Sequence, residues 1–185
     1  MDDGSIIRLF FERSEQAVEE LNRKYGPIVR KTAANILRDR QDVEECVNDT
    51  YFRCWNAIPP QRPVSLMSYV CKIARNLAVD RYHSNTAAKR NGNYDLVLDE
   101  LEECIPSGFD PEAALEAKEL TGAINRFLAT LAQEDRVLFV RRYWYADSVA
   151  DLAAMTNSRA SRVSVRLFRI REKLKRTLKE EGFLA

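Results

Sequence analysis

Five cationic side chains at helical spacing carry the strongest chemical signal in the chain. Arg162, Arg166, Arg169, Lys173 and Arg176 recur at intervals of four and three, which at about 100° per residue stacks them along one side of a helix. Val163, Leu167, Ile170 and Leu174 follow the same rhythm beside them and make an apolar stripe able to face a core. The span 158–180 holds nine Lys/Arg against two acids. Surface helices commonly intersperse acids three or four residues away to pair such charges. A run with so few of them is kept for an outside polyanion, with nucleic acid the first candidate. The face farthest from the apolar stripe holds Ser161, Val165, Phe168 and Arg169, flanked by Arg162 and Arg166. Apolar groups there can meet thymine methyls and arginine can bind guanine edges. The competing account is a helix packed on both sides, or one that docks only a protein.

Two further constellations lie upstream. Asp42, Glu45 and Asp49, spaced three and four apart, stand together on the outer side of a helix. They read either as a solvated face favoured by the helix dipole or as a docking surface. Lys72, Arg75 and Asn76, with Arg81 and Tyr82 a turn later, form an outward face in a stretch, 69–90, holding five Lys/Arg and one acid. Basic groups mixed with an exposed tyrosine and asparagine suit single-stranded nucleic acid. An ordinary basic helix end accounts for them equally well.

The elements that must position these residues read as helices. Residues 14–25 place Val18, Leu21 and Tyr25 on one face. Gly26-Pro27 then interrupts or kinks the chain before Ile28, Val29, Ala33, Ile36 and Leu37 resume. The acidic helix, about 41–57, buries Val43, Val47, Tyr51, Cys54 and Ile58. Three prolines in 58–63 make a stiff loop. Ser65 can cap the following helix, with Leu66, Val70, Ile73 and Leu77 inward. Asn91-Gly92-Asn93 and residues 105–111 mark turns, with a short helical stretch near Ala113. From 94 to 119 there are nine acids and one base, so 91–119 reads as an acidic linker.

A second domain opens with Ile124, Phe127, Leu128 and Leu131, breaks at Gln133-Glu134-Asp135, and continues to Tyr143-Trp144-Tyr145. These rings suit burial better than base stacking. Ser148 and Asp151 resemble a capping box that opens a short helix carrying Leu152 and Met155 inward. Thr156-Asn157-Ser158 then turns into the basic helix. Short helix, tight turn and longer charged helix form the helix-turn-helix pattern.

Composition bounds the rest. With 185 residues and a formal net charge of +1, affinity for DNA must come from segregated charge. No segment approaches about eighteen consecutive apolar residues, and the start Met1-Asp2-Asp3-Gly4 is acidic where a signal peptide is basic and then apolar. A cytoplasmic protein without membrane insertion is expected. Cys46, Cys54, Cys71 and Cys104 form no C-x-x-C pair and His83 is the single histidine, so buried reduced thiols are expected and no metal site. With no P-loop and no nucleophile motif, neither catalytic residues nor a cofactor are expected.

Residues 40–51 (RQDVEECVNDTY), 73–81 (IARNLAVDR) and 166–174 (RLFRIREKL), in this order, resemble an extracytoplasmic-function sigma factor of bacterial RNA polymerase. The resemblance implies an all-α fold of two small helical domains joined by the acidic linker, the second a helix-turn-helix. It divides the chain into an N-terminal tail (1–14), sigma region two (15–90), the linker (91–119) and region four (120–185). It gives Asp42, Glu45 and Asp49 a polymerase-docking role. Asn56, Arg62, Lys72, Arg75, Asn76 and Arg81 are assigned to the minus-ten element, with an extruded base held in the loop 56–63. Arg162, Ser164, Val165, Arg166, Phe168 and Arg169 are assigned to the minus-thirty-five element. The implied partners are core RNA polymerase and promoter DNA, duplex and melted, with an anti-sigma factor as a further candidate. Where many members have a turn glycine this chain has Asn157, which tolerates a left-handed backbone. A different helix-turn-helix regulator, or a helical protein-interaction module, is the alternative.

Overall fold

Asp2 accepts a hydrogen bond from the Ser5 amide at 3.0 Å and so starts α1 (Asp3–Phe11). The computed structural model describes residues 1–85, 92–102 and 114–184. Asn91, Cys104, the 105–111 turn and Ala113 lie outside the described residues. All regular structure among the described residues is helical, in two units, 1–91 and 92–185.

The first unit packs α1 with α2 (Gln16–Ala34), α3 (Arg40–Ala57) and α4 (Leu66–Ser84). Ile6 and Phe10 of α1 have no exposed surface and join Leu21, Val29, Val47, Cys54, Ile58 and Val70 in one core. The expected N-terminal tail is therefore corrected to a core helix. Burying two large apolar side chains contributes about 1.5–3 kcal/mol each, which accounts for the ordering of so short a helix. Of the two outcomes expected at Gly26-Pro27, an interruption or a kink, the interruption does not occur: α2 runs through Pro27. The proline removes one amide donor, yet Leu21 before it and Val29 after it are both seated in the core and hold the helix together.

Gly26 leaves room for the Asn22 side chain, one turn earlier on α2. A Cβ there would collide with Asn22 Oδ1, which accepts the Tyr51 hydroxyl at 2.8 Å. α3 begins where Asp39 accepts from the amides of Gln41 and Asp42, and it buries Val43, Val47, Tyr51 and Cys54. Ser65 accepts from the Ser68 amide at 3.3 Å and caps α4. The inward face of α4 is Leu66, Val70, Cys71, Ala74 and Ala78, whereas Ile73 and Leu77 are only half-buried. The small residues let α4 lie close to α3, and the Cys46 thiol reaches the Ala74 carbonyl at 3.5 Å. Burial pushes the Cys46 thiol up to about 11 and Cys54 to about 12. Both stay protonated and inert.

The second unit contains α5 (Gly92–Glu102), α6 (Ala114–Thr130), α7 (Gln133–Tyr143), α8 (Val149–Met155) and α9 (Ala160–Glu180). The expected linker is corrected over 92–102, which is helix α5. Tyr94 and Val97 are buried, and the Glu100 carboxylate receives Arg142 at 2.8 and 3.2 Å, the Tyr143 hydroxyl at 2.8 Å and Arg171 at 3.3 Å. Arg142 is only 2% exposed, and a buried guanidinium requires an opposite charge. Glu100 supplies it from what reads as a solvated acidic run.

The break expected at Gln133-Glu134-Asp135 falls instead at Leu131-Ala132. Glu134 and Asp135 occupy the first turn of α7, where the helix dipole favours acids. Of the three consecutive aromatics, Tyr143 is buried while Trp144 is 41% exposed on the rim of a cavity of about 500 Å³ lined by Ile124, Leu128, Phe139 and Tyr145.

Candidate nucleic-acid interface

Ser148 Oγ accepts from the Asp151 amide at 3.1 Å, opening α8. α8 ends as the Ser158 amide bonds the Ala153 carbonyl at 2.9 Å. Asn157 sits at φ +47°, the left-handed position that a tight reversal between two helices needs. α9 then lays Val163, Leu167, Ile170, Leu174 and Leu178 against its own unit, each at most 2% exposed. That seating turns the opposite face outward. Arg162, Ser164 and Arg169 are exposed, as are Val165 and Phe168 at 48% and 51%. Two apolar side chains held in solvent between cationic ones can meet the thymine methyls and the guanine acceptor edges that a major groove presents.

Arg166 departs from the expectation of an unpaired basic stripe. Its Nε and Nη2 donate to Asp135 Oδ1 at 2.9 and 2.6 Å, and Nη2 reaches Glu134 Oε2 at 3.2 Å. These partners raise its already high pKa, the Asp135 hydrogen bond foremost. Arg166 thus ties α9 to the start of α7, and the acids that pair it come from another helix rather than from i±4. Arg171 is likewise turned inward, donating to Tyr143 Oη at 2.8 Å.

In the first unit, Asn56, Arg62, Lys72 and Asn76 are exposed and Arg75 is half-buried. Arg62 lies 4.0 Å over the Phe11 ring, a cation–π contact. Around the loop the apolar side chains Phe52, at 67%, and Val64, in full solvent, are exposed. Gln61 is fixed on both sides: its amide bonds the Ala57 carbonyl at 3.1 Å and its side chain accepts Tyr69 Oη at 2.8 Å.

Arg81, expected on the same basic face, stands among the acidic residues of α3, 2.6 Å from Glu45, 3.2 Å from Asp49 and 3.8 Å from Asp42. Asn85 also donates to Asp42 at 2.8 Å and Gln41 to Glu45 at 3.1 Å. The hydrogen bond from Gln41, followed by that from Arg81, lowers the Glu45 pKa. The acidic face is therefore an organised cluster around one cation, not three carboxylates alone in solvent.

Sequence reasoning missed Phe11, Arg13, Glu100 and Arg142. Arg142 follows the buried Leu138 by four residues, a spacing that marks it as inward-facing. Nothing local marks the other three, whose partners lie more than forty residues away in sequence.

Comparison with known proteins bears on the first unit directly. Residues 21–88 match the family model described as Sigma-70 region 2, a stretch that includes α3 and α4 whole. None of the curated proteins matches the chain. Among solved structures, it is similar to one titled "Structure of CnrH in complex with the cytosolic domain of CnrY", at 19% identity and a TM-score of 0.44, over 97% of this chain and 99% of that one. No helix among the described residues is long and apolar enough to cross a membrane.

Proposed function

We propose that the chain is a sigma factor of the extracytoplasmic-function type that directs RNA polymerase to promoters by reading two elements at once. The observation that carries this reading is the presence, in one chain, of a Sigma-70 region 2 domain and a second unit whose α8 and α9 form a helix-turn-helix with an outward cationic face. The organised acidic cluster on α3 docks to the polymerase, with Asp42, Glu45 and Asp49 meeting cations on the partner and Arg81 holding their geometry. The loop 56–63, with Arg62, Lys72, Arg75 and Asn76, engages the melted minus-ten strand. Arg162, Ser164, Val165, Phe168 and Arg169 read the minus-thirty-five duplex, and Arg166 braces the helix that presents them. Tethering both contacts to polymerase makes the second intramolecular, so neither needs to be tight alone. An anti-sigma factor that masks these surfaces fits the same reading.

Run-off transcription tests it. Core polymerase supplemented with this chain is expected to initiate at discrete sites that core alone does not use. A chain that binds duplex DNA but leaves core polymerase silent would instead be a regulator acting without polymerase.

A further inference from the structure

The end of α3 presents a carbonyl that its own helix does not satisfy. Trp55 O is in line for a donor four residues later, and that residue is Pro59, which has no N–H. The neighbouring carbonyls of Cys54 and Ala57 do find such donors, in Ile58 at 3.0 Å and Gln61 at 3.1 Å. Trp55 O is reached instead from a distant part of the chain, by Arg13 Nη1 at 2.6 Å. The same guanidinium lies 5.5 Å from the centroid of the Trp55 ring.

Arg13 makes this contact from a backbone at φ +54°, in the turn between α1 and α2. Two residues earlier, Phe11 receives Arg62 of the loop on its ring face. Two cation–aromatic contacts with the donors reversed, Arg13 onto Trp55 and Arg62 onto Phe11, therefore tie the α1 turn to both ends of the stretch 55–62. Phe11 and Arg13 both precede the stretch matched by the family model.

We infer that Arg13 is a positioning residue for the 56–63 loop. Its guanidinium replaces the amide hydrogen that Pro59 lacks and, with Phe11 under Arg62, fixes the loop in the shape that receives single-stranded DNA. The inference rests on the minus-ten reading proposed above and assigns α1 a part in it. Arg13 acts through Trp55 O rather than on the nucleic acid itself, so its effect and that of a phosphate-binding arginine differ in salt dependence. A phosphate contact contributes about 0.7 to the slope of log K against log salt on a single strand; a positioning contact contributes nothing.

The test is fluorescence anisotropy of a labelled single-stranded oligonucleotide of mixed sequence titrated with the full chain at several salt concentrations, for the unchanged protein, Arg13→Ala and Arg13→Lys. Arg13→Ala is expected to weaken binding about tenfold, the scale of losing one hydrogen bond from a charged donor, with an unchanged salt slope. Arg13→Lys, which keeps a donor able to reach Trp55 O, is expected to recover most of the loss. Amide exchange at Gln61 is expected to quicken in Arg13→Ala and return in Arg13→Lys, while the α9 amides stay as they were. If the unchanged chain binds the strand and Arg13→Ala binds it equally, the positioning role is wrong and the minus-ten reading stands. A slope lowered by about 0.7 reassigns Arg13 to phosphate contact and overturns the inference as well. No binding by the unchanged chain, alone or with core polymerase, removes the minus-ten reading and the inference with it. Should Arg13→Ala unfold the first unit, Arg13→Lys decides, since loss of strand binding in a folded Lys variant that keeps slow Gln61 exchange contradicts positioning.

Discussion

At the scale of single residues, Glu100 and Arg169 show how differently a charge can be used. Glu100 is only a quarter exposed, and its side chain gathers Arg142, Tyr143 and Arg171. Burial alone pushes its carboxyl up. The hydrogen bonds from Arg142 and Tyr143, with the charges of Arg142 and Arg171, outweigh burial and hold it below the usual glutamate value of 4.5. A carboxylate with a depressed folded pKa contributes stability that is complete above 4.5 and is lost as pH falls through the lower folded value. Glu100→Ala is expected to destabilise the second unit by about 3 kcal/mol at neutral pH, because it strands the buried Arg142. It should also flatten the acid limb of a stability-against-pH curve followed by urea denaturation; an unaltered curve would show that the network contributes nothing. Arg169 has the opposite surroundings, exposed on the outer face of α9. Arg169→Ala is expected to leave stability alone and cost about 1–3 kcal/mol of duplex affinity at one base-pair position. Equal loss on every sequence, seen in a competition assay, reassigns it to phosphate.

Helices make the second scale, where the pattern in the sequence and the folded arrangement agree on some elements and part on others. α9 was legible to within a residue or two because its stripe of Val163, Leu167, Ile170 and Leu174 is a purely local signal, and all four are buried. α3 was legible for the same reason. α1 was not, since two core side chains in nine residues, Ile6 and Phe10, make too short a pattern to separate from a tail. α5 was hidden by its acids, whose meaning depends on a guanidinium 42 residues away. The candidate site divides along the same line. Exposure of Arg162, Val165, Phe168 and Arg169 follows from helical phase alone, whereas the capture of Arg81 by α3 and of Arg166 by α7 depends on which helices become neighbours. The Asn22–Tyr51 link between α2 and α3 has a test of its own. Gly26→Ala is expected to break the Asn22–Tyr51 hydrogen bond and cost about 1–3 kcal/mol, measured by denaturant titration. An unchanged midpoint would mean that Asn22 simply swings aside.

For the whole molecule, the near-neutral formal charge of +1 conceals strong segregation. Duplex binding is expected to weaken with salt at a slope of about −0.9 per phosphate neutralised, and a flat response in a filter-binding series would remove the DNA reading of the second unit. Charge reversal on the other unit, Asp49→Lys, is expected to abolish co-purification with core polymerase while leaving duplex affinity intact, because the proposed function assigns the two contacts to separate units. The three thiols sealed inside the first unit give that separation a clock. Cys46, Cys54 and Cys71 have almost no accessible surface, so a maleimide can reach them only when this unit opens. Mass spectrometry of the alkylated peptides would time that opening in the intact protein, and slower labelling in the presence of polymerase would report how firmly the enzyme keeps the bundle shut.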